Sequence, residues 1–339
     1  MRRLGLLMFA LVLALAFSAC GGSSVSQTGP SPSATQTANI NQVDDQPEEV
    51  VQMGFSIAGE GAFFDQLETD IEEACAAKGY SFSLMRPKTA LEQVNDITEM
   101  LASGISVLVI GPADVDALET ALAECESDGV PVINIIDSIN GKVSTLVSPD
   151  YTQVGAAAAE RANSLFGETG VQCLELKSNY DSFVMQLLSD GFAGKLTEDS
   201  KVTLASEQYC GDDEEQAYQA AKTELQSGDK NIGFIFVQSS PLARGALRAI
   251  EETGSAAKLV AFTGDMDIIS AVASGSMDAA IFMGPKQLAG VAVDNAGQYL
   301  SNPSFIPESF IQLNLDVVTA DNAAEYYSAE LLHAQVKAD

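Results

Sequence analysis

Strand-like and helix-like patterns alternate along this chain from about residue 50 onward. Residues 50–57 form a short apolar run typical of a buried strand, and residues 64–77 place apolar side chains at helical spacing. Lys78-Gly79 then ends the predicted helix. Further strands are predicted at 80–85, 105–110 and 131–136, and further helices at 90–101 and 115–125. The repeated unit is one strand followed by one helix.

The same alternation restarts after Val147-Ser148-Pro149. Helices are predicted at 154–166, 183–196, 214–225, 243–252 and 268–273, and strands at 171–176, 202–205, 232–237, 259–262 and 279–283. Strands rich in Val, Ile and Leu that alternate with amphipathic helices indicate parallel sheets covered on both faces. We therefore predict an α/β protein with two doubly wound lobes of strand order 2-1-3-4. Ligands of such sheets bind beyond the carboxyl ends of the strands, so two facing lobes predict a cleft between them.

The N-terminus has the pattern of an export signal. Arg2-Arg3 precedes an apolar stretch, residues 4–17, that is short for a membrane span. The stretch leads into Ser18-Ala19-Cys20 and two glycines, which resembles the bacterial lipobox, although Phe17 stands where leucine is commoner. The resemblance implies that residues 1–19 are a cleaved signal peptide and that Cys20 is lipidated, for example by palmitate. An ordinary secretory signal is the alternative.

A linker and an acidic body are predicted to follow. Residues 20–49 carry the lipidated cysteine and a disordered linker, since small and polar residues dominate there. The formal net charge of −30 at pH 7 becomes two charges more negative once Arg2 and Arg3 are removed. Such a chain disfavours nucleic acid as a partner. We interpret the excess as a solvated surface suited to a salty exterior, with a cation-seeking site as the alternative.

The cysteines are predicted to be buried free thiols. Besides Cys20 they are Cys75, Cys125, Cys173 and Cys210, an even number that permits two disulfides in an exported protein. The predicted sheet order places the helices of Cys75 and Cys125 on opposite faces, and Cys173 and Cys210 near opposite ends of neighbouring strands, beyond disulfide reach. With one histidine in the chain and no paired-cysteine motif, we predict no metal and no cofactor.

Five segments occur in a recognisable order. They are Met53-Gly54-Phe55-Ser56 with the pair Phe63-Phe64, residues 102–112, residues 128–133, residues 245–250 and residues 272–275. Together they resemble the ribose-type periplasmic sugar-binding proteins that feed ABC importers. The resemblance extends over about residues 51–327 and implies a type 1 periplasmic binding protein fold, with a three-crossing hinge. It assigns residues 50–148 and 285–312 to an N-terminal lobe, and residues 149–284 and 313–339 to a C-terminal lobe.

The family positions that hold ligand are only partly kept. By resemblance, Phe63 and Phe64 keep an aromatic pair that packs on sugar faces, and Asp137 keeps an acid that accepts hydroxyl hydrogen bonds. The other expected ligand positions are Ser138 in place of an arginine, Ser239-Ser240 in place of Asn-Asp, Thr263 in place of an aspartate and Met283 in place of a glutamine. A second family arginine is Leu188 here. Burying a polyol without partners costs ~1–3 kcal/mol per unsatisfied group, so a ligand with fewer hydroxyls than ribose, or with an amine, is favoured.

Several neighbours of these positions are weaker candidates for the cleft lining. They are Glu60, Tyr180, Asp181, Phe183 and Asp265, and for the acids among them solvation of a loop is an equal alternative.

The resemblance implies a binding protein and not an enzyme. Its expected partners are a small sugar or sugar-like ligand and the membrane permease of an ABC importer, and we expect a monomer that touches the membrane only through its lipid anchor. The alternatives are a sensor for a membrane receptor or kinase, and a binder of a nucleoside or amine. The residues themselves show no nucleophile with a base, and Gly59-Glu60-Gly61 lacks the third glycine of a dinucleotide loop.

Overall fold

The computed structural model describes residues 52–166, 168–178, 182–196, 201–227, 231–302 and 304–326. The predicted signal peptide, Cys20 and the whole predicted linker lie outside these residues, as do Tyr180, Asp181 and His333. No helix within the described ranges is both long enough and apolar enough to cross a membrane.

The first half of the chain forms alternating strands and helices. They are β1 (Gln52–Ile57), α1 (Ala62–Lys78), β2 (Ser81–Met85), α2 (Ala90–Ala102), β3 (Val107–Gly111), α3 (Glu119–Asp128), β4 (Val132–Ile135) and β5 (Thr145–Pro149). The predicted start of α3 was wrong. The backbone N–H of Asp116 donates to Oδ1 of Asp114 at 2.9 Å, which holds a turn where the helix had been predicted to begin.

The second half repeats the alternation. It contains α4 (Tyr151–Phe166), β6 (Val171–Lys177), α5 (Phe183–Lys195), β7 (Val202–Tyr209), α6 (Glu214–Gln226), β8 (Ile232–Val237), α7 (Ser240–Thr253), β9 (Lys258–Thr263), α8 (Met266–Ala273), β10 (Ala279–Phe282), α9 (Pro285–Ser301), β11 (Phe310–Leu313) and β12 (Asp316–Thr319). β7 is longer than predicted because it stays paired with β6 as far as Tyr209, across a register shift after Cys173.

The strands of the described residues form two six-stranded sheets, which confirms the predicted fold class. The first sheet has the order β2-β1-β3-β4-β5-β11 and the second has β7-β6-β8-β9-β10-β12. All pairs are parallel except the antiparallel pair of β10 and β12. The order 2-1-3-4 that was predicted for each lobe is present in both sheets.

Between residues 52 and 326, the described part of the chain passes between the two sheets three times. After β5 it enters α4, which packs on α5 and on strands of the second sheet. After β10 it returns to the first sheet through α9, which packs on α1 and on β3, β4 and β5. The third passage lies between β11 and β12, which pair with different sheets.

The four described cysteines are buried and free, as predicted. Cys75 and Cys173 lie in a large central apolar cluster that both lobes share, and Cys125 and Cys210 lie in two separate clusters. Burial raises the thiol pKa to about 11 for Cys75, Cys125 and Cys210, and to about 12 for Cys173.

Candidate ligand site

The aromatic pair stands at the start of α1, just beyond the carboxyl end of β1. Gly59 and Gly61 have φ values of 145° and 96°, a region that favours glycine, and Gly61 caps the helix. The ring of Phe64 covers Gly59 so closely that a Cβ on that glycine would overlap it. The rings of Phe63 and Phe64 meet edge to face, with centroids 5.1 Å apart. The glycines therefore shape a tight loop that presents both rings.

Arg86 holds this loop from the end of β2. Its Nη2 donates to the carbonyl of Gly59 at 2.6 Å and its Nη1 to the carbonyl of Phe64 at 3.2 Å. The guanidinium lies 5.8 Å from the Phe64 ring centroid and is also paired with Glu68 at 3.0 Å. Sequence reasoning did not single out Arg86. The signal available in the sequence was an arginine directly after the predicted strand 80–85.

Phe63 reaches the other lobe. A Cβ built on Gly264, which follows β9, would lie 2.7 Å from Cε2 of Phe63 and 2.9 Å from the carbonyl oxygen of Met283. The ring of Phe63 therefore rests on the backbone of Gly264. The structure thus brings Phe63 beside the predicted positions Thr263 and Met283, at the carboxyl ends of β9 and β10.

The side chain of Met283 has a different setting from the one expected of a ligand contact. It is 6% exposed and belongs to the central apolar cluster. Its carbonyl oxygen, by contrast, borders the contact between Phe63 and Gly264.

Two hydroxyls of the second lobe are joined to each other. Oγ of Ser240 and Oγ1 of Thr263 lie 2.7 Å apart, and both side chains are buried. The backbone N–H of Asp265 also donates to Oγ1 of Thr263, at 2.9 Å. The Oγ of Ser239, next to this pair, is buried and has no hydrogen-bond partner among the residues that the structure describes.

Arg244 fixes the loop that follows Thr263. From the first turns of α7 it donates to both carboxylate oxygens of Asp267, at 2.6 and 3.0 Å, and to Asp265 at 2.6 Å. These hydrogen bonds raise the pKa of the Arg244 guanidinium, so its charge is permanent. Asp265, which the sequence offered as a ligand contact, is buried against this arginine.

Asp137 follows a strained residue at the end of β4. Ile136 has a φ of 71°, which is an outlier for a β-branched residue. Its carbonyl accepts hydrogen bonds from Ser148 at 2.9 Å and from the Tyr151 hydroxyl at 3.3 Å, so β5 and α4 hold the strain in place. Burial raises the pKa of Asp137. The pKa of Tyr151 is raised as well, mainly by burial and to a smaller extent by the charge of Asp137.

Tyr151, whose hydroxyl donates to the carbonyl of Ile136 beside Asp137, also packs against the second sheet. Its ring meets that of Phe262 edge to face at 5.9 Å, one residue before Thr263. Ser138, in contrast, is exposed, and Phe183 is 70% exposed at the start of α5. The structure thus groups Phe63, Thr263 and the backbone of Met283, places Tyr151 between Phe262 and the backbone beside Asp137, and leaves Ser138 in solvent.

A buried acid of the second lobe was missed by sequence reasoning. Glu175 on β6 accepts hydrogen bonds from Ser189 at 2.8 Å and from Gln238 at 2.9 Å, and Nζ of Lys177 lies 3.9 Å away. Burial raises the pKa of Glu175, although the charge of Lys177 acts against this. Lys177 is also paired with Glu207. A cavity of about 250 Å³ adjoins this cluster. The continuous apolar pattern around Glu175 was the only signal for its burial.

Comparisons with known proteins identify the family of this fold. The model of the periplasmic binding protein domain matches residues 53–304. The chain belongs to this family. This periplasmic binding protein is 26% identical over 240 residues to the ribose import binding protein of Bacillus subtilis, covering 70% of the chain and 77% of the relative. It is 25% identical over 261 residues to the Escherichia coli ribose import binding protein, covering 75% and 86%.

Solved structures show the same fold. The periplasmic binding protein component of an arabinose ABC transporter from Shewanella, bound to L-arabinofuranose, has a TM-score of 0.75 at 18% identity, covering 84% of this chain and 97% of that one. A periplasmic ribose ABC transporter protein from Conexibacter woesei has a TM-score of 0.75 at 17% identity, covering 82% and 95%. The predicted resemblance to type 1 periplasmic binding proteins is therefore confirmed.

Proposed function

We propose that this protein is an extracytoplasmic solute-binding protein of an ABC importer. It holds a small sugar or sugar-like ligand between its lobes, at the carboxyl ends of the strands. The observation that carries the proposal is the contact of Phe63 from the first lobe with Gly264 of the second, because it brings both sets of strand ends to one place. The curated relatives, which are ribose import binding proteins, support the same assignment.

The chemistry of the site suits a partly apolar ring with few hydroxyls. The faces of Phe63 and Phe64 offer apolar contact for the carbon face of a sugar ring. Asp137 offers a carboxylate acceptor, and Oγ of Ser239 is a buried hydroxyl that still lacks a partner. Arg86 and Arg244 are already engaged by carbonyls and carboxylates of their own lobes. The ligand is therefore held by shape complementarity and by single hydrogen bonds, and not by the paired donors of an arginine side chain.

Binding is proposed to act through a population shift. A ligand that touches both lobes stabilises the arrangement in which they meet, and the three chain crossings are the natural hinge. The resulting form would be the one that a membrane permease recognises. Residues 1–19 are proposed as the signal peptide and Cys20 as the lipid anchor that keeps the body at the outer face of the cell membrane.

The protein is proposed to be a binder without catalysis. Its matched family and the curated relatives are binding proteins.

A thermal-shift screen of the chain without residues 1–20 tests the proposal. The panel contains D-ribose, L-arabinose, D-allose, D-galactose, D-fructose and myo-inositol, with nucleosides and amines as the second class. A ligand at one hundred times its dissociation constant adds ~2.7 kcal/mol to stability. We expect at least one sugar to raise the midpoint and Phe63→Ala to abolish the rise. A response to nucleosides or amines alone would overturn the sugar assignment, and a response that survives Phe63→Ala would overturn the site.

A further inference from the structure

We propose that Arg86 and Arg244 are positioning residues that prearrange the two loops meeting across the cleft, before any ligand arrives. Each arginine belongs to one lobe, and its partners among the described residues are groups of that lobe. The relevance of these loops to ligand binding rests on the proposed function, but their prearrangement is a property of the protein alone.

Arg86 bridges the two ends of the first loop. Its two terminal nitrogens donate to the carbonyls of Gly59 and Phe64, the two ends of the segment that contains Phe63. Gly59 precedes α1, and Phe64 lies in its first turn. The same guanidinium lies against the Phe64 ring and is paired with Glu68. A single side chain therefore satisfies the loop backbone and fixes the orientation of its rings.

The planar fork is essential to this arrangement. An arginine has donors on two terminal nitrogens held in one plane, so it can bridge two carbonyls at once, whereas a lysine is a point donor on a flexible stem. Lysine at position 86 would keep the positive charge but could not hold both ends of the loop in the same geometry. The Arg86→Lys variant therefore separates an effect of the positive charge from an effect of the hydrogen-bond geometry.

Arg244 does the equivalent for the second loop. It binds Asp267 through two hydrogen bonds and Asp265 through a third, and these acids flank the start of α8. Asp265 in turn donates its backbone N–H to Oγ1 of Thr263, the residue before Gly264. The position of Gly264 is thereby tied to α7 through Arg244.

Both loops need this restraint because their contact tolerates little displacement. The Phe63 ring lies directly on the Gly264 backbone, and the carbonyl of Met283 closes the remaining side. A loop that is already ordered loses less conformational entropy when a ligand binds, and this improves affinity without a new contact. The two arginines therefore act on the ligand through the loops, not by touching it.

Hydrogen exchange of the ligand-free protein tests the inference. We compare Arg86→Met, Arg86→Lys and Arg244→Met with the wild type, following peptides that cover residues 58–66 and 263–269. Arg248→Met is the matched control, since Arg248 also lies over an aromatic ring, Tyr218, and pairs with Glu214 and Glu215.

The expected changes are local. Exchange in 58–66 should become about tenfold faster in Arg86→Met and in Arg86→Lys, and exchange in 263–269 about tenfold faster in Arg244→Met, with Arg248→Met leaving both peptides unchanged. Unchanged exchange in the two methionine variants would overturn the inference, as would full restoration by Arg86→Lys. Because no sugar is present, failure here is separate from failure of the thermal-shift screen.

Discussion

The ring of Phe63 occupies the space that a side chain on Gly264 would need. A Cβ at position 264 would lie 2.7 Å from Cε2 of the ring and 2.9 Å from the Met283 carbonyl oxygen, both closer than real Cβ atoms come to their neighbours. The two residues belong to different lobes. The glycine is thus required for the close approach of the lobes, and its backbone needs no unusual φ value.

Gly264→Ala should therefore weaken sugar binding and destabilise the described arrangement. Overpacking of this kind costs about 1–3 kcal/mol, because the ring or the Met283 backbone must move. Titration with the best sugar of the panel and chemical denaturation measure the two effects. Gly290→Ala is the control: it lies within α9 with open space around it, so alanine should stabilise by about 0.4–1 kcal/mol. Equal behaviour of the two variants would contradict the contact.

Asp137→Asn should make the protein more stable at neutral pH while weakening ligand binding. Burial raises the pKa of Asp137, so the folded state holds this proton more tightly than the unfolded state. Stability then falls as pH rises from the ordinary aspartate range, about 3.9, through the raised pKa. The Asp137→Asn variant has no ionisable group at this position, so its stability does not fall in this way. Urea unfolding at pH 4 and pH 7 should show its advantage only at the higher pH. An advantage equal at both values would contradict the assignment.

Ser239→Ala and Ser240→Ala should have opposite effects. Removing the Oγ of Ser239 breaks no hydrogen bond among the described residues, so stability should stay the same or rise slightly, while affinity for the sugar falls. Removing the Oγ of Ser240 breaks the buried bond to Thr263, which should cost about 0.5–1.5 kcal/mol of stability. Denaturation midpoints and titrations separate the two. Unchanged affinity in Ser239→Ala would remove that hydroxyl from the ligand site.

The thiols should be inert in the folded protein. Burial raises the pKa of Cys173 to about 12 and that of the other three described cysteines to about 11. The thiolate is the reactive form, so a thiol reagent at pH 8 should label none of them. In guanidinium chloride all four should react, in the chain without residues 1–20. Fewer than four reactive thiols after unfolding would indicate a disulfide and contradict the structure.

The periodic pattern of the sequence predicted the strand-helix alternation of both lobes, but it did not predict β5, α9, β11 or β12. Apolar runs such as 232–237 and helical spacing such as 214–225 are local signals, and the chirality of strand-helix-strand connections leaves few ways to order the strands. The pattern was less informative where the apolar spacing is weak or where a side chain bonds to the nearby backbone. Thr145–Pro149 is a short strand with little apolar periodicity, and α3 begins late because Asp114 forms a local turn.

The sequence by itself determined that two doubly wound lobes exist, that Phe63 and Phe64 follow a glycine-bearing loop at a strand end, and that the cysteines are too far apart to pair. Only the tertiary structure decided that Phe63 rests on Gly264, that Arg86 and Arg244 are occupied within their own lobes, and that the Met283 side chain belongs to the core. The physical reason is that strands and helices arise from local periodicity, whereas contacts between strand ends depend on how two separately built sheets are placed against each other.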